Sequence, residues 1–214
     1  MTRSEVQVLP RPPLQSKMTQ EILSAGIFYF VLYYSLVFTG VPVMFFFLWT
    51  FFDLLKKNIW MVYLGMVFFF IGVPLAFFFT RQWWFLWSYP FALPLQIAGF
   101  LIFWITFIAI MVAERSITFK VRFFIPLLQG KRIHLRMDGV YRYLRHPIYA
   151  VMPWMVLGAL LYTGELILIF PFLFNLMTRR WYALREEERL ALQCDGNYAH
   201  YKNQTPYCFY PKFS

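Results

Sequence analysis

Long runs of uncharged, mostly apolar residues constrain the fold of this chain more than any other feature of its sequence. Ile22–Phe52, Asn58–Thr80 and Gln82–Ala113 each exceed the roughly 20 residues that an α-helix needs to span a bilayer. A fourth run, Pro147–Thr178, is interrupted only by Glu165. Charged residues make up 14% of the chain, against about 25% in an ordinary soluble domain. The pattern predicts an all-α, polytopic membrane protein with about five transmembrane helices.

These runs divide the chain into three parts of one domain. Residues 1–21 contain three prolines among polar residues and are predicted as a mobile tail. Residues 22–113 are predicted as three transmembrane helices, with a short loop at Asp53–Lys57. Residues 114–214 comprise a polar connection, a helical hairpin turning at Thr163–Gly164, and a C-terminal region.

The net charge of +10 raises the question of a nucleic-acid partner. The cations, however, flank the predicted spans, and eight of the twenty Lys and Arg lie in the connection Glu114–His146. The positive-inside bias therefore predicts a cytoplasmic connection and no nucleic acid. The two cysteines, Cys194 and Cys208, form no Cys-x-x-Cys or His/Cys pattern, so no metal site is predicted. The sequence leaves the oligomeric state open.

The segment Asp138–Tyr149 is a long polar, cationic stretch directly before an apolar run. Pro147 favours the first turn of a helix and pushes the preceding residue out of the α region, so a helix is predicted to begin there. Arg145 and His146 then lie at the positive end of the helix dipole, with Tyr149 in the first turn. This arrangement suits an anionic or zwitterionic ligand at the membrane surface.

The second helix of the hairpin is predicted to continue beyond the membrane. The sequence after Thr178 has no Gly or Pro as far as Gln193 and is rich in good helix formers. Glu186 and Glu187 then lie about two turns beyond the membrane edge, near the level of His146. The hairpin is therefore expected to bring the cationic segment and the two carboxylates together.

Several elements of the C-terminal part of the chain occur together in a known family. They are Gly139-x-Tyr141, Arg145-His146-Pro147-x-Tyr149, the hairpin, Glu186-Glu187, Tyr198-x-x-Tyr201 and Thr205. Together they resemble the isoprenylcysteine carboxyl methyltransferase and phospholipid methyltransferase superfamily, over roughly residues 131–211. The resemblance implies S-adenosylmethionine as methyl donor, S-adenosylhomocysteine as product, and a lipid or lipidated acceptor that enters from the bilayer toward a cytoplasmic pocket.

The resemblance also implies roles for individual residues. Glu186 and Glu187 would hold the ammonium group of the cofactor. Arg145 and His146 would hold its carboxylate or ribose. The two remaining cofactor-binding candidates are Tyr141 and Tyr149.

The catalytic candidates are Glu186, Arg180 and Tyr182. Prenylcysteine enzymes of the superfamily carry an arginine one turn before the glutamate pair, where this chain has Tyr182, with Arg179 and Arg180 nearly a turn earlier. A carboxylate acceptor is already ionised at neutral pH, whereas an amine must lose a proton that a glutamate could take. A prenylcysteine-type carboxylate and a phosphatidylethanolamine-type amine both stay open as acceptors.

Other interpretations of the same residues stay open as well. Arg145 could be an anchor of the positive-inside kind, His146 a helix cap, and Tyr149 an interfacial aromatic. A membrane reductase of the sterol type is an alternative function, although such chains have more spans. A small transporter or scaffold is another, although no predicted span carries a charge and no inverted repeat is evident.

Overall fold

The structure, a computed structural model, describes residues 14–84, 89, 91–115, 135, 137–194 and 197–210, and the regular elements in these ranges are all helical. The α-helices are α1 (Leu14–Thr50), α2 (Phe52–Lys57), α3 (Ile59–Val67), α4 (Val73–Trp84), α5 (Leu93–Arg115), α6 (Pro147–Thr163), α7 (Ile169–Gln193) and α8 (Asn197–Gln204). A π-helical turn, Phe68–Gly72, joins α3 to α4, and 3-10 turns cover Gly139–Arg142 and Leu166–Leu168. The predicted all-α class is confirmed for this part of the chain.

Among the residues that the structure describes, two helical stretches are long and apolar enough to cross a membrane. They are Ile59–Ala76 and Leu93–Arg115, and only 17% and 22% of the residues in their apolar windows are buried inside the protein. Apolar side chains left exposed over most of a helix are suited to lipid and not to water. The helical stretches Leu23–Val37 and Pro147–Thr163 are also apolar but shorter. The prediction of about five spans therefore stays a prediction.

The N-terminal region differs from the expectation in two places. Helix α1 begins at Leu14, within the predicted tail, and residues 1–13 lie outside the described ranges. The predicted loop at Asp53–Lys57 is instead part of helix α2. Its acidic residue lies in the first turn and its two lysines in the last turn, so both ends complement the helix dipole.

Helix α6 lies at the centre of the bundle and contacts α1, α5 and α7. Its crossing with α5 is made by two glycines. A Cβ atom placed on Gly158 would lie 2.5 Å from the backbone N of Phe103, and one placed on Gly99 would lie 2.5 Å from the backbone N of Tyr162. Small residues at such a crossing let two helix backbones approach closely, as is common between membrane helices.

The hairpin that carries the candidate site follows the prediction closely. Helix α6 begins at Pro147 and ends at Thr163, and the φ of 74° at the following Gly164 gives the left-handed conformation that glycine favours at a helix C-terminus. After the 3-10 turn, α7 runs to Gln193 without interruption. The predicted start of α6 and the predicted end of α7 are confirmed, and the turn follows Thr163, which is the last residue of α6.

Candidate active site

The Glu187 carboxylate lies at the centre of a cluster of three cationic side chains. Its Oε1 accepts hydrogen bonds from Arg145 Nε at 2.8 Å and from His146 Nε2 at 3.1 Å. Lys202 Nζ lies 3.0 Å from Oε2. Only 5% of the Glu187 side chain is exposed, so these charge contacts are weakly screened by water. The hairpin thus brings the cationic segment and the predicted glutamate pair into direct contact.

His146 lies between the two carboxylates. Its Nδ1 is 3.4 Å from Glu186 Oε2, while Nε2 faces Glu187. Burial opposes charge on the ring, but hydrogen bonds and charges of the two glutamates outweigh it and raise the pKa of His146 to about 8. Burial likewise opposes ionisation of Glu187, yet hydrogen bonds from His146, Arg145 and Lys202 hold the pKa of that carboxyl well below its usual range. The cluster is therefore an ionised one at neutral pH.

The raised pKa of His146 predicts how stability changes with pH. The protonated ring stabilises the folded state fully below pH 6.5, and this contribution is lost as the pH rises through about 8. A shift of this size corresponds to about 2 kcal/mol. The free energy of unfolding in detergent should fall by that amount on going from mildly acidic to mildly alkaline buffer. In a His146→Gln variant the free energy of unfolding should change little over the same pH range. An equal fall in both proteins would contradict the assignment of this pH dependence to His146.

Glu186 keeps one oxygen available. Its Oε2 is buried, and its contact with His146 Nδ1 is long, at 3.4 Å, so no residue in the described ranges gives it a well-formed hydrogen bond. A buried carboxylate oxygen without a donor costs free energy. This oxygen can therefore accept a hydrogen bond from a cationic ligand group.

The C-terminal strap, residues 205–210, holds the backbone of the cationic segment in place. Arg145 N donates to Tyr207 O at 3.0 Å, and His146 N donates to Cys208 O at 3.1 Å. The Arg145 side chain also donates to Thr205 O at 2.7 Å. The strap therefore fixes the direction in which the guanidinium and the imidazole face the glutamates.

Aromatic rings of the hairpin helices α6 and α7 pack against the cluster. The His146 and Tyr149 rings are stacked with centroids 5.3 Å apart, and the Tyr182 ring meets Tyr149 edge-on at 4.8 Å. Tyr149 and Tyr182 are buried, and the Tyr182 hydroxyl donates to Asn175 Oδ1 at 3.3 Å. These rings pack against His146 and exclude water from that side of the imidazole.

The remaining predicted site residues lie in different surroundings. Tyr141 is buried, and its carbonyl accepts a hydrogen bond from the Tyr201 hydroxyl at 2.8 Å. Arg180, a predicted catalytic residue, has an exposed side chain. Its neighbour Arg179 is partly buried and contacts the C-terminal strap. The role of Arg180 stays a prediction.

Sequence reasoning missed Lys202 as a partner of the glutamates, as well as the backbone contacts of the strap. Lys202 lies in α8, whose tyrosines belong to the pattern that resembles the superfamily, but that pattern gave no role to the lysine. A lysine placed fifteen residues after Glu187 gives no signal in the sequence, because the intervening turn decides where it points.

One group of side chains in the described ranges has the composition of a metal site. His146, Glu187 and Cys208 place ligand atoms within 4.8 Å of one another. A metal would need a neutral imidazole and a deprotonated thiol. Burial, and then the Glu187 charge, instead raise the pKa of the Cys208 thiol to about 11, and the carboxylate already has three cationic partners. The group is better suited to its own ion pairs than to a metal.

Comparisons with known proteins identify the family of the chain. No curated protein and no solved structure matches it significantly. A family model described as phospholipid methyltransferase matches residues 87–193, half of the chain. The matched residues include both the cationic segment and the glutamate pair, whereas α8 and the C-terminal strap follow the match. The chain therefore belongs to the phospholipid methyltransferase family of membrane methyltransferases.

Proposed function

We propose that the chain transfers the methyl group of S-adenosylmethionine to a lipophilic acceptor at the cytoplasmic face of a membrane. The observation that carries this proposal is the pair of the partly buried Glu186 and the buried Glu187, faced by Arg145 and His146 at the start of α6. The family supports methyl transfer. The carboxylates, cations and aromatic rings around the glutamate pair support S-adenosylmethionine as the cofactor.

The charges of the pocket suit the cofactor's methionine end and its sulfonium. The buried Glu186 Oε2 has only the long contact with His146 Nδ1 within the described ranges and can accept a hydrogen bond from the ammonium group. Arg145, His146 and the positive end of α6 can hold the carboxylate. The aromatic faces of Tyr149 and Tyr182 can pack against the adenosine or the sulfonium.

The bound cofactor supplies an electrophilic methyl group on a sulfonium, and the protein's contribution is positioning, exclusion of water and removal of any acceptor proton. The C-terminal strap and the rings of Tyr149 and Tyr182 exclude water. Glu187 is a weak base, because its pKa is held low by three cations. Glu186 is therefore the carboxylate that we assign to take a proton from an amine acceptor.

The proposal also specifies how the site is oriented relative to the bilayer. In the five-span arrangement that the sequence predicts, the connection, the glutamate pair and the C-terminus lie on the cytoplasmic side; the bases of the connection favour this orientation, whereas the three bases of the N-terminal tail oppose it. The acceptor then reaches the pocket sideways from the bilayer, either as a prenylcysteine-type carboxylate or as a phosphatidylethanolamine-type amine.

A methyl-labelling experiment tests this function. Membranes containing the chain are supplied with S-adenosylmethionine labelled in its methyl group, and lipids are then extracted. Label should enter the lipid or lipidated fraction and should be lost with Glu186→Gln. Alkali-labile label identifies an ester and stable label in choline lipids identifies an amine. No transfer to any lipophilic product would contradict the proposal.

A further inference from the structure

Four polar side chains follow one another along a single face of α7. Asn175, Arg179, Tyr182 and Glu186 are separated by four, three and four residues, the spacing that aligns side chains on a helix. At 1.5 Å per residue, Arg179 lies about 10 Å along the axis from Glu186, toward the membrane. Tyr182 on this face is buried against Tyr149 of α6. The face therefore extends from the glutamate pair into the hairpin.

The guanidinium of Arg179 is held by neutral groups. Its Cζ lies 5.2 Å from the ring centroids of both Phe209 and Tyr210, and its Nη1 donates to the Tyr210 hydroxyl. Trp154 Nε1 donates to the same hydroxyl at 3.4 Å. Within the described ranges no carboxylate forms an ion pair with this arginine. A partly buried cation with only aromatic and hydroxyl partners can still bind an anion strongly.

Asn175, one turn from Arg179, is a second polar side chain on this face, and only its oxygen is hydrogen-bonded within the described ranges. The side chain is fully buried, and its Oδ1 accepts the hydrogen bond from Tyr182. Its Nδ2 finds no acceptor among the residues that the structure describes. An unsatisfied amide donor costs free energy, and polar residues within predicted membrane segments generally mark a ligand path.

We propose that Arg179 and Asn175 bind the anionic headgroup of the acceptor lipid. Arg179 pairs with a phosphate or carboxylate oxygen, and Asn175 donates its free N–H to an oxygen of the same lipid deeper in the hairpin. In an amine acceptor the reactive end then extends along α7 from Arg179 toward Glu186, whereas in a carboxylate acceptor the anion held by Arg179 is itself the reactive group. This inference rests on the proposed function, because methyl transfer is what makes one group of the lipid reactive. The binding of the anion itself can be tested without any cofactor.

The test measures binding of lipids to the purified full chain in an uncharged detergent, with no cofactor present. The probes are a short-chain phosphatidylethanolamine, which offers a phosphate, and S-farnesylcysteine, which offers a carboxylate. A short-chain diacylglycerol reports apolar binding alone. Arg179→Gln is compared with Arg185→Gln, which removes the same charge from the exposed outer face of the same helix.

Arg179→Gln should weaken binding of at least one anionic probe by about ten-fold or more, while Arg185→Gln stays within about two-fold. Arg179→Lys should recover part of the loss, and Asn175→Leu should weaken the same probe by several-fold. Binding of the diacylglycerol should not change. The probe that responds identifies the anion as phosphate or carboxylate. Unchanged binding in Arg179→Gln, an equal loss in Arg185→Gln, or no anion binding by the native chain would overturn the proposal.

A separate titration with S-adenosylhomocysteine distinguishes failure of the proposed function from failure of the proposed lipid site. Arg179→Gln should leave that affinity within about two-fold, because Arg179 lies about two turns from Glu186. If the native chain binds the anionic lipid through Arg179 but not S-adenosylhomocysteine, the proposed function fails and the lipid site stands. The opposite result leaves the proposed function in place and removes the lipid site.

Discussion

Replacing Glu187 with alanine is expected to destabilise the folded protein by about 3–5 kcal/mol, because it leaves the buried Arg145 guanidinium without its carboxylate and His146 with Glu186 as its one remaining carboxylate among the described residues. His146 can relieve part of this cost by losing its proton, since the carboxylates are what raise its pKa. Lys202 contributes little, because half of its side chain is exposed and its charge is screened. The free energy of unfolding in detergent measures the loss.

Glu188 provides a matched control for this substitution. It is the next residue on α7, but 62% of its side chain is exposed, and it pairs with Arg185 at 3.2 Å on the surface. Such a pair is worth at most about 1 kcal/mol. Glu188→Ala should therefore be nearly neutral. If both variants lost the same stability, the charge cluster around Glu187 would not be what holds α6, α7 and α8 together.

Replacing Gly158 with valine is expected to disrupt the crossing of α5 and α6. The new Cβ would meet the backbone N of Phe103 at 2.5 Å and the backbone O of Gly99 at 2.9 Å. Backbone atoms cannot move aside as a flexible side chain can, so the two helices must separate. We expect a loss of about 3 kcal/mol or more in unfolding free energy, at the upper end of overpacking effects.

Gly65→Val is the control for that substitution, since a Cβ at Gly65 meets nothing within 4 Å. Both variants exchange glycine for the same β-branched residue within an apolar helix. Thermal unfolding in detergent should show a large decrease for Gly158→Val and almost none for Gly65→Val. A stable Gly158→Val protein would mean that α5 and α6 do not approach as closely as the structure has them.

The parts of the fold that the sequence predicted correctly depend on local chemistry. Pro147 defines the start of α6 because proline suits the first helical turn, and Gly164 ends it because the turn requires a positive φ. The absence of Gly and Pro after Thr178 predicted the continuation of α7 to Gln193. These two helices bring His146 and Glu187 together, so the centre of the site could be anticipated.

Other features depend on how helices far apart in sequence are aligned, and sequence reasoning could not reach them. Whether Arg179 or Arg180 faces the hairpin depends on the rotation of α7 about its axis, and the structure places Arg179 against the C-terminal strap. The close approach of Gly99 and Gly158 involves residues on different helices whose register no local pattern defines. The helix α2 was missed because its short sequence is also compatible with a loop.

The central claim is that a sulfonium cofactor binds between the start of α6 and the glutamate pair of α7. An equilibrium titration of the purified chain with S-adenosylhomocysteine, repeated with Glu186→Gln, tests it most directly. The account predicts saturable binding below millimolar concentration for the native chain, and affinity about ten-fold or more weaker for the variant. The absence of saturable binding, or equal affinity in both proteins, would contradict it.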